Sequence, residues 1–61
     1  MTKEQKEALK IICESGLIGK LAGFISEPVF TSLEKSGYIK LHKNNLDYYP
    51  TELGWIEFEK L

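Results

Sequence analysis

The stretch Ile25-Ser26-Glu27-Pro28-Val29-Phe30-Thr31-Ser32-Leu33-Glu34-Lys35-Ser36-Gly37-Tyr38-Ile39-Lys40-Leu41-His42 changes its hydrophobic period once, and that change decides the fold. Ser26 is a helix N-cap type, and Glu27 and Pro28 follow it in the first turn, where proline's missing N–H costs nothing. Val29, Phe30 and Leu33 make an apolar stripe at helical spacing, and Gly37 supplies the left-handed residue that ends a helix. Beyond Gly37 the period becomes two. Ile39 and Leu41 fall on one face, and Tyr38, Lys40 and His42 on the other. The reading is a helix over 26–36 that runs through a glycine directly into a strand.

Working outward toward the C-terminus, Lys43-Asn44-Asn45 supplies a turn, because asparagine tolerates positive φ. Leu46-Asp47-Tyr48-Tyr49 reads as the returning strand, stopped by Pro50. A two-stranded hairpin is marginal alone, so it must pack on the helices. Thr51 caps a closing helix. In that helix Leu53, Ile56 and Leu61 are expected to face inward, with Trp55 and Phe58 on a neighbouring stripe. Gly54 would let the helix approach another backbone closely.

Toward the N-terminus, Leu17-Ile18-Gly19-Lys20-Leu21-Ala22-Gly23-Phe24 has room for about one and a half helical turns between Ile18 and Ala22, then a turn at Gly23. Before it, Thr2 and Gln5 match a capping box. Ala8, Leu9, Ile12 and Cys13 then recur on one helical face, while Lys3, Lys6, Glu7, Lys10 and Glu14 cover the other. Gly16 ends this first helix, Lys3–Ser15, and Leu17 is expected to fold back on its last turn. The predicted order is helix, short helix, helix, hairpin, helix: an α+β, mainly α, single domain over residues 1–61. It corresponds to a helix-turn-helix followed by a two-stranded wing.

Length sets the scale of function. A chain of 61 residues buries about 60% of its unfolded surface, enough for a core of about a dozen to fifteen side chains and too little for a nucleotide-binding sheet, a barrel or a two-domain cleft. The composition, 43% hydrophobic and 28% charged, is that of a folded chain. All eight basic residues are lysine, against nine acids, for a net charge of −1. Nucleic-acid binding therefore requires a local cluster of lysines, and the bidentate reading of guanine at which arginine excels is not in this chain's repertoire. The one cysteine, Cys13, excludes an intramolecular disulfide, and no stretch has the length of a transmembrane helix or the pattern of a signal peptide. These features lead us to expect a soluble, cytoplasmic protein.

The segments 25–39 and Tyr48-Tyr49-Pro50-Thr51-Glu52-Leu53-Gly54 resemble the winged-helix family, in particular small regulators of the MarR and PadR type. In that family a recognition helix ends in a leucine, a short spacer, glycine, an aromatic and isoleucine. A second wing strand then runs into tyrosine, x, threonine, x, x, glycine. The resemblance covers residues 8–58 and implies a winged helix-turn-helix that binds duplex DNA in transcription regulation, with flanking helices forming a homodimer.

On that reading the helix 26–36 enters the major groove. Ser26, Thr31, Ser32 and Lys35 would meet bases or phosphates from it, Lys20 would add a phosphate contact, and Lys40, Lys43, Asn44 and Asn45 would reach the flanking backbone from the wing. The alternative is that Asn44-Asn45 is turn chemistry only and the helix face merely solvated. Charge cuts both ways. Glu27 and Glu34 against Lys35 leave the helix at −1, whereas Lys40 and Lys43 against Asp47 leave the hairpin at +1. The closing segment, with Glu52, Glu57 and Glu59 against Lys60, carries −2 and would face away from nucleic acid. Trp55, Phe58 and Leu61 are expected to form a self-association or partner patch. A winged helix used for protein–protein contact is the alternative function, favoured by the acidic helix and the absence of arginine.

Enzymatic function is not expected. Cys13 falls on an apolar face, His42 stands on a separate strand, and no third group completes a nucleophilic site. No set of three or four residues has metal-ligand spacing, and the glycines around Lys20 lack phosphate-loop spacing, so no cofactor is expected.

Overall fold

A computed structural model describes residues 1–19, 23 and 25–61. Among them are three helices, α1 (Lys3–Ser15), α2 (Glu27–Lys35) and α3 (Glu52–Glu59), and three strands, β1 (Ile18–Gly19), β2 (Ile39–Leu41) and β3 (Asp47–Pro50). The fold is α+β and mainly helical.

α1 forms as its sequence dictates. Thr2 N donates to Gln5 Oε1 at 2.8 Å and Gln5 N donates to Thr2 Oγ1 at 3.2 Å, completing the capping box. Its buried residues are Ala8, Leu9, Ile12 and Cys13, the face the spacing picks out. Gly16, at φ 78°, closes the helix by donating to Ile12 O at 2.8 Å.

Past Gly16 the structure departs from expectation. Leu17 does not fold back on α1; it is 45% exposed, and Ile18 takes the inward position. Ile18 and Gly19 are not the start of a short helix but a strand, antiparallel to β3 in the register Ile18↔Tyr48 and Gly19↔Asp47. The remainder of the predicted short helix, 20–22, lies outside the described residues. Gly23 does adopt positive φ, at 79°.

α2 ends in a Schellman turn. Gly37, at φ 85°, donates to Glu34 O and Tyr38 N donates to Leu33 O, both at 3.0 Å. This turn throws the chain straight into β2. The hairpin is therefore part of a three-stranded antiparallel sheet of order β1-β3-β2, not the two-stranded wing that was expected. The third strand answers the marginal stability of a bare hairpin.

Pro50 does not stop β3 but is its last residue, opposite Ile39. The reason lies in the hydrogen-bond alternation. Asp47 O accepts from His42 N and Thr51 N donates to Tyr38 O, so 47, 49 and 51 turn their polar groups toward β2. Pro50 therefore directs its nitrogen to the β1 side, beyond the start of β1 at Ile18, where no ladder bond is lost.

The core joins all these elements. Leu9, Ile12, Phe30, Leu33 and Ile39 are at most 2% exposed, and Tyr48 stacks on Phe30 with ring centroids 4.8 Å apart. Full burial of such side chains contributes about 1.5–3 kcal/mol each before entropy is counted.

α3 docks through a glycine. A Cβ at Gly54 would overlap the carbonyl oxygen of Tyr38 and stand 3.0 Å from its carbonyl carbon, so helix and strand backbones approach closely enough to leave no room for a side chain. Thr51 locks the junction: its hydroxyl accepts from Gly54 N at 3.1 Å and donates to Gly37 O at 2.5 Å, while its amide donates to Tyr38 O at 3.0 Å. This docking sets the rotation of α3. Gly54 and Phe58 face the core, whereas Leu53 and Ile56, expected inside, are each 45% exposed. Leu61, also expected inside, is 51% exposed.

Candidate nucleic-acid interface

α2 presents a stripe of Glu27, Thr31 and Lys35, four residues apart and all exposed, with Pro28 and Ser32 alongside. The two charges have a local reason. An acid in the first turn and a lysine in the last complement the helix dipole.

Ser26 holds the N-cap position with extended backbone, but its hydroxyl makes no capping bond and the residue is exposed. Ser32, expected to point outward, is half-buried. Its hydroxyl donates to Val29 O and accepts from Gln5 Nε2, both at 2.9 Å. Through Gln5 the α1 cap is thus tied to α2, and Ser32 is a helix–helix contact before it is anything else. Glu27, Thr31 and Lys35 remain as the open polar groups of this face, one acid among them.

The hairpin tip is a tightly bonded turn. Asn45 takes positive φ, 61°, and donates its N–H to His42 O at 2.8 Å. The Asn44 side-chain oxygen accepts from Leu46 N at 2.9 Å and Asp47 N at 3.2 Å, and its amide donates to Asp47 Oδ2 at 2.9 Å. The polar end of Asn44 is consumed by the turn, which removes it from the set of free contact groups. Asn45 is exposed, as are Lys40 and Lys43. Among the described residues the only ion pair is Lys60–Glu57, at 3.2 Å, so Lys35, Lys40 and Lys43 have no carboxylate partner. Lys20 lies outside the described residues.

The outward face of the hairpin adds His42 and Tyr49 to the lysines expected there, two residues that sequence reading did not count among the contact groups. Lys40 lies opposite Tyr49, and His42 opposite Asp47, all on the side away from the core residues Ile39 and Tyr48. Lys40, His42, Lys43 and Tyr49, with Leu41, line one shallow hollow. The signal was available: once Tyr48 is assigned inward, alternation puts Tyr49 on the Lys40 face.

α3 spreads its apolar side chains around the helix between its glutamates. Trp55 is 42% exposed and packs edge-on to Phe58, centroids 5.8 Å apart. Phe58 is half-buried against the core, so it anchors the helix and does not belong to an outward patch. At 100° per residue, Ile56 lies opposite the docked face, with Leu53 toward one flank and Trp55 on the other, and Glu52 and Glu59 between Ile56 and Trp55. Of the expected patch, Trp55 and Leu61 are exposed and Phe58 is half-buried.

Cys13 is buried, its Sγ 4.0 Å from Gly54 O, and burial pushes its thiol pKa up. It is a packing residue at the α1–α3 contact. No helix among the described residues is long and apolar enough to cross a membrane.

Comparison with known proteins found no matching family model, no matching curated protein and no matching solved structure.

Proposed function

We propose that this chain is a small winged helix-turn-helix module that binds duplex DNA, as a homodimer and in transcription regulation. One observation carries the reading. The exposed stripe of α2 and the adjoining hairpin keep Lys35, Lys40 and Lys43 in solvent with no carboxylate partner among the described residues, whereas the acidic α3 is docked by Gly54 and Phe58. In the proposed mode Thr31 and Lys35 meet the major groove and Lys40, Lys43 and Asn45 the flanking backbone. Affinity is then electrostatic and salt-dependent, with three lysines able to release about three counterions.

The test is an amide NMR titration of labelled protein with mixed-sequence duplex at low and then physiological salt. Salt-sensitive shifts confined to Thr31, Lys35 and residues 40–45 support the reading, and no shifts at low salt refute it. A second reading, a protein-contact module, is favoured by Leu53, Trp55 and Ile56, which leave three large apolar side chains of α3 in solvent. Loss of partner or self-association on Trp55→Ala, with DNA shifts absent, would select it. Equilibrium sedimentation showing only monomer at high micromolar concentration would remove the homodimer.

A further inference from the structure

The hollow on the outer face of the hairpin combines three properties. It is cationic: Lys40 and Lys43 are exposed, and no acid lines it. The neighbouring carboxylate, Asp47, is drawn aside, with Oδ2 accepting from Asn44 and Oδ1 placed over Gly19, where an added Cβ would stand 2.8 Å away. It is also aromatic: Tyr49 is half-exposed on the floor, and the His42 imidazole stands across it at 82°, centroids 6.1 Å apart. Finally, it is preset, because Nδ1 of His42 accepts from Asn44 N at 3.3 Å and the tip is braced by the Asn44 and Asn45 turn bonds.

Ammonium groups recognise phosphate, and a tyrosine ring beside them offers a stacking surface for a planar base. Both belong to one ligand class, a nucleotide unit whose base is free of its own duplex stack. A paired base inside a duplex cannot reach such a ring. We propose that this hairpin face binds single-stranded nucleic acid, with one base stacked on Tyr49 and the adjoining phosphates held by Lys40 and Lys43. The proposal rests on the reading that the hairpin meets nucleic acid, and it adds a strand preference and two residues, Tyr49 and His42, to that reading.

Aromatic NMR spectra of the unaltered chain, titrated at low salt with a ten-nucleotide oligothymidylate, with thymidine monophosphate and with a duplex, test it. Stacking moves the Tyr49 ring protons upfield with the oligonucleotide and much less with the mononucleotide or duplex. Tyr49→Ala then weakens oligonucleotide binding about tenfold, while Tyr49→Phe stays near the parent. A Tyr49 ring unmoved by bound oligonucleotide, or moved as strongly by duplex, overturns the single-strand proposal and leaves the duplex reading standing. Absence of binding to every probe overturns both. The ring shifts are read on the natural sequence, so a fold defect in either variant does not obscure the result.

Discussion

Replacing Gly54 with alanine sets two physical effects against each other with opposite signs. In an exposed helix interior, glycine to alanine is favourable by about 1 kcal/mol, because alanine loses less backbone entropy on folding. Here the added Cβ would overlap Tyr38 O and approach Tyr38 C to 3.0 Å, and the obstruction is backbone, which has no rotamer to swing away. Forcing a methyl into such a contact costs about 1–3 kcal/mol. Retreat of α3 would also stretch the Thr51 N–Tyr38 O and Thr51 Oγ1–Gly37 O bonds, worth about 1 kcal/mol each. The net expectation for Gly54→Ala is a loss of about 2–3 kcal/mol. For a chain of 61 residues, total stability of about 3–9 kcal/mol makes that loss easily measured. Urea unfolding followed by Trp55 fluorescence reads it directly, since Trp55 rides on the displaced helix. With a slope near 1 kcal/mol/M, the midpoint should fall by about 2–3 M. Gly16→Ala is the control: nothing lies within 4 Å of its added Cβ, so only the positive φ is penalised, by about 1 kcal/mol. A Gly54→Ala midpoint at or above the parent's would refute the close approach and the docking of α3 built on it.

Thr51→Ala removes both the α3 cap and the bond to Gly37 O and should cost about 1–2 kcal/mol by the same unfolding assay, with Thr51→Ser restoring most of it. Cys13, buried with its thiol pKa raised, should resist alkylation in the folded chain and react readily in urea. Linkage adds a pH signature. Above the ordinary thiol range, near 8.5, the unfolded state sheds the proton that the folded state keeps, so stability should fall as pH rises there. Cys13→Ala should flatten that slope, and an unchanged slope would remove Cys13 as its source. Replacing Lys35, Lys40 and Lys43 together with alanine should weaken duplex binding and flatten its salt dependence by about 0.9 for each phosphate left without its lysine. Equal salt slopes for parent and variant would place DNA elsewhere.

Local chemistry determined more of this protein than its length suggests. The capping box of Thr2 and Gln5, the inward face of α1, the glycine exit from α2, the alternation of β2 and the cap at Thr51 each depend on residues within a few positions of one another. A sequence displays such relations directly. Gly54 was legible as a close approach too, because glycine inside a helix loses stability unless its missing side chain is used.

Tertiary structure decided the rest. Ile18 and Gly19 become a strand because β3 offers a free edge, a partner about thirty residues away that no local period announces. Pro50 stays in β3 because β1 is short. Ser32 turns from solvent to α1 because Gln5 is there to meet it. α3 spreads Leu53, Trp55, Ile56 and Phe58 around the helix between its glutamates, so its periodicity did not single out the inward face. The Gly54–Tyr38 contact chose it, sending Phe58 inside and leaving Leu53 and Ile56 in water. Sequence determined each element whose stabilising partners lie in the same turn of chain, while the orientation of those elements depended on contacts between distant residues that exist only once the backbone is folded.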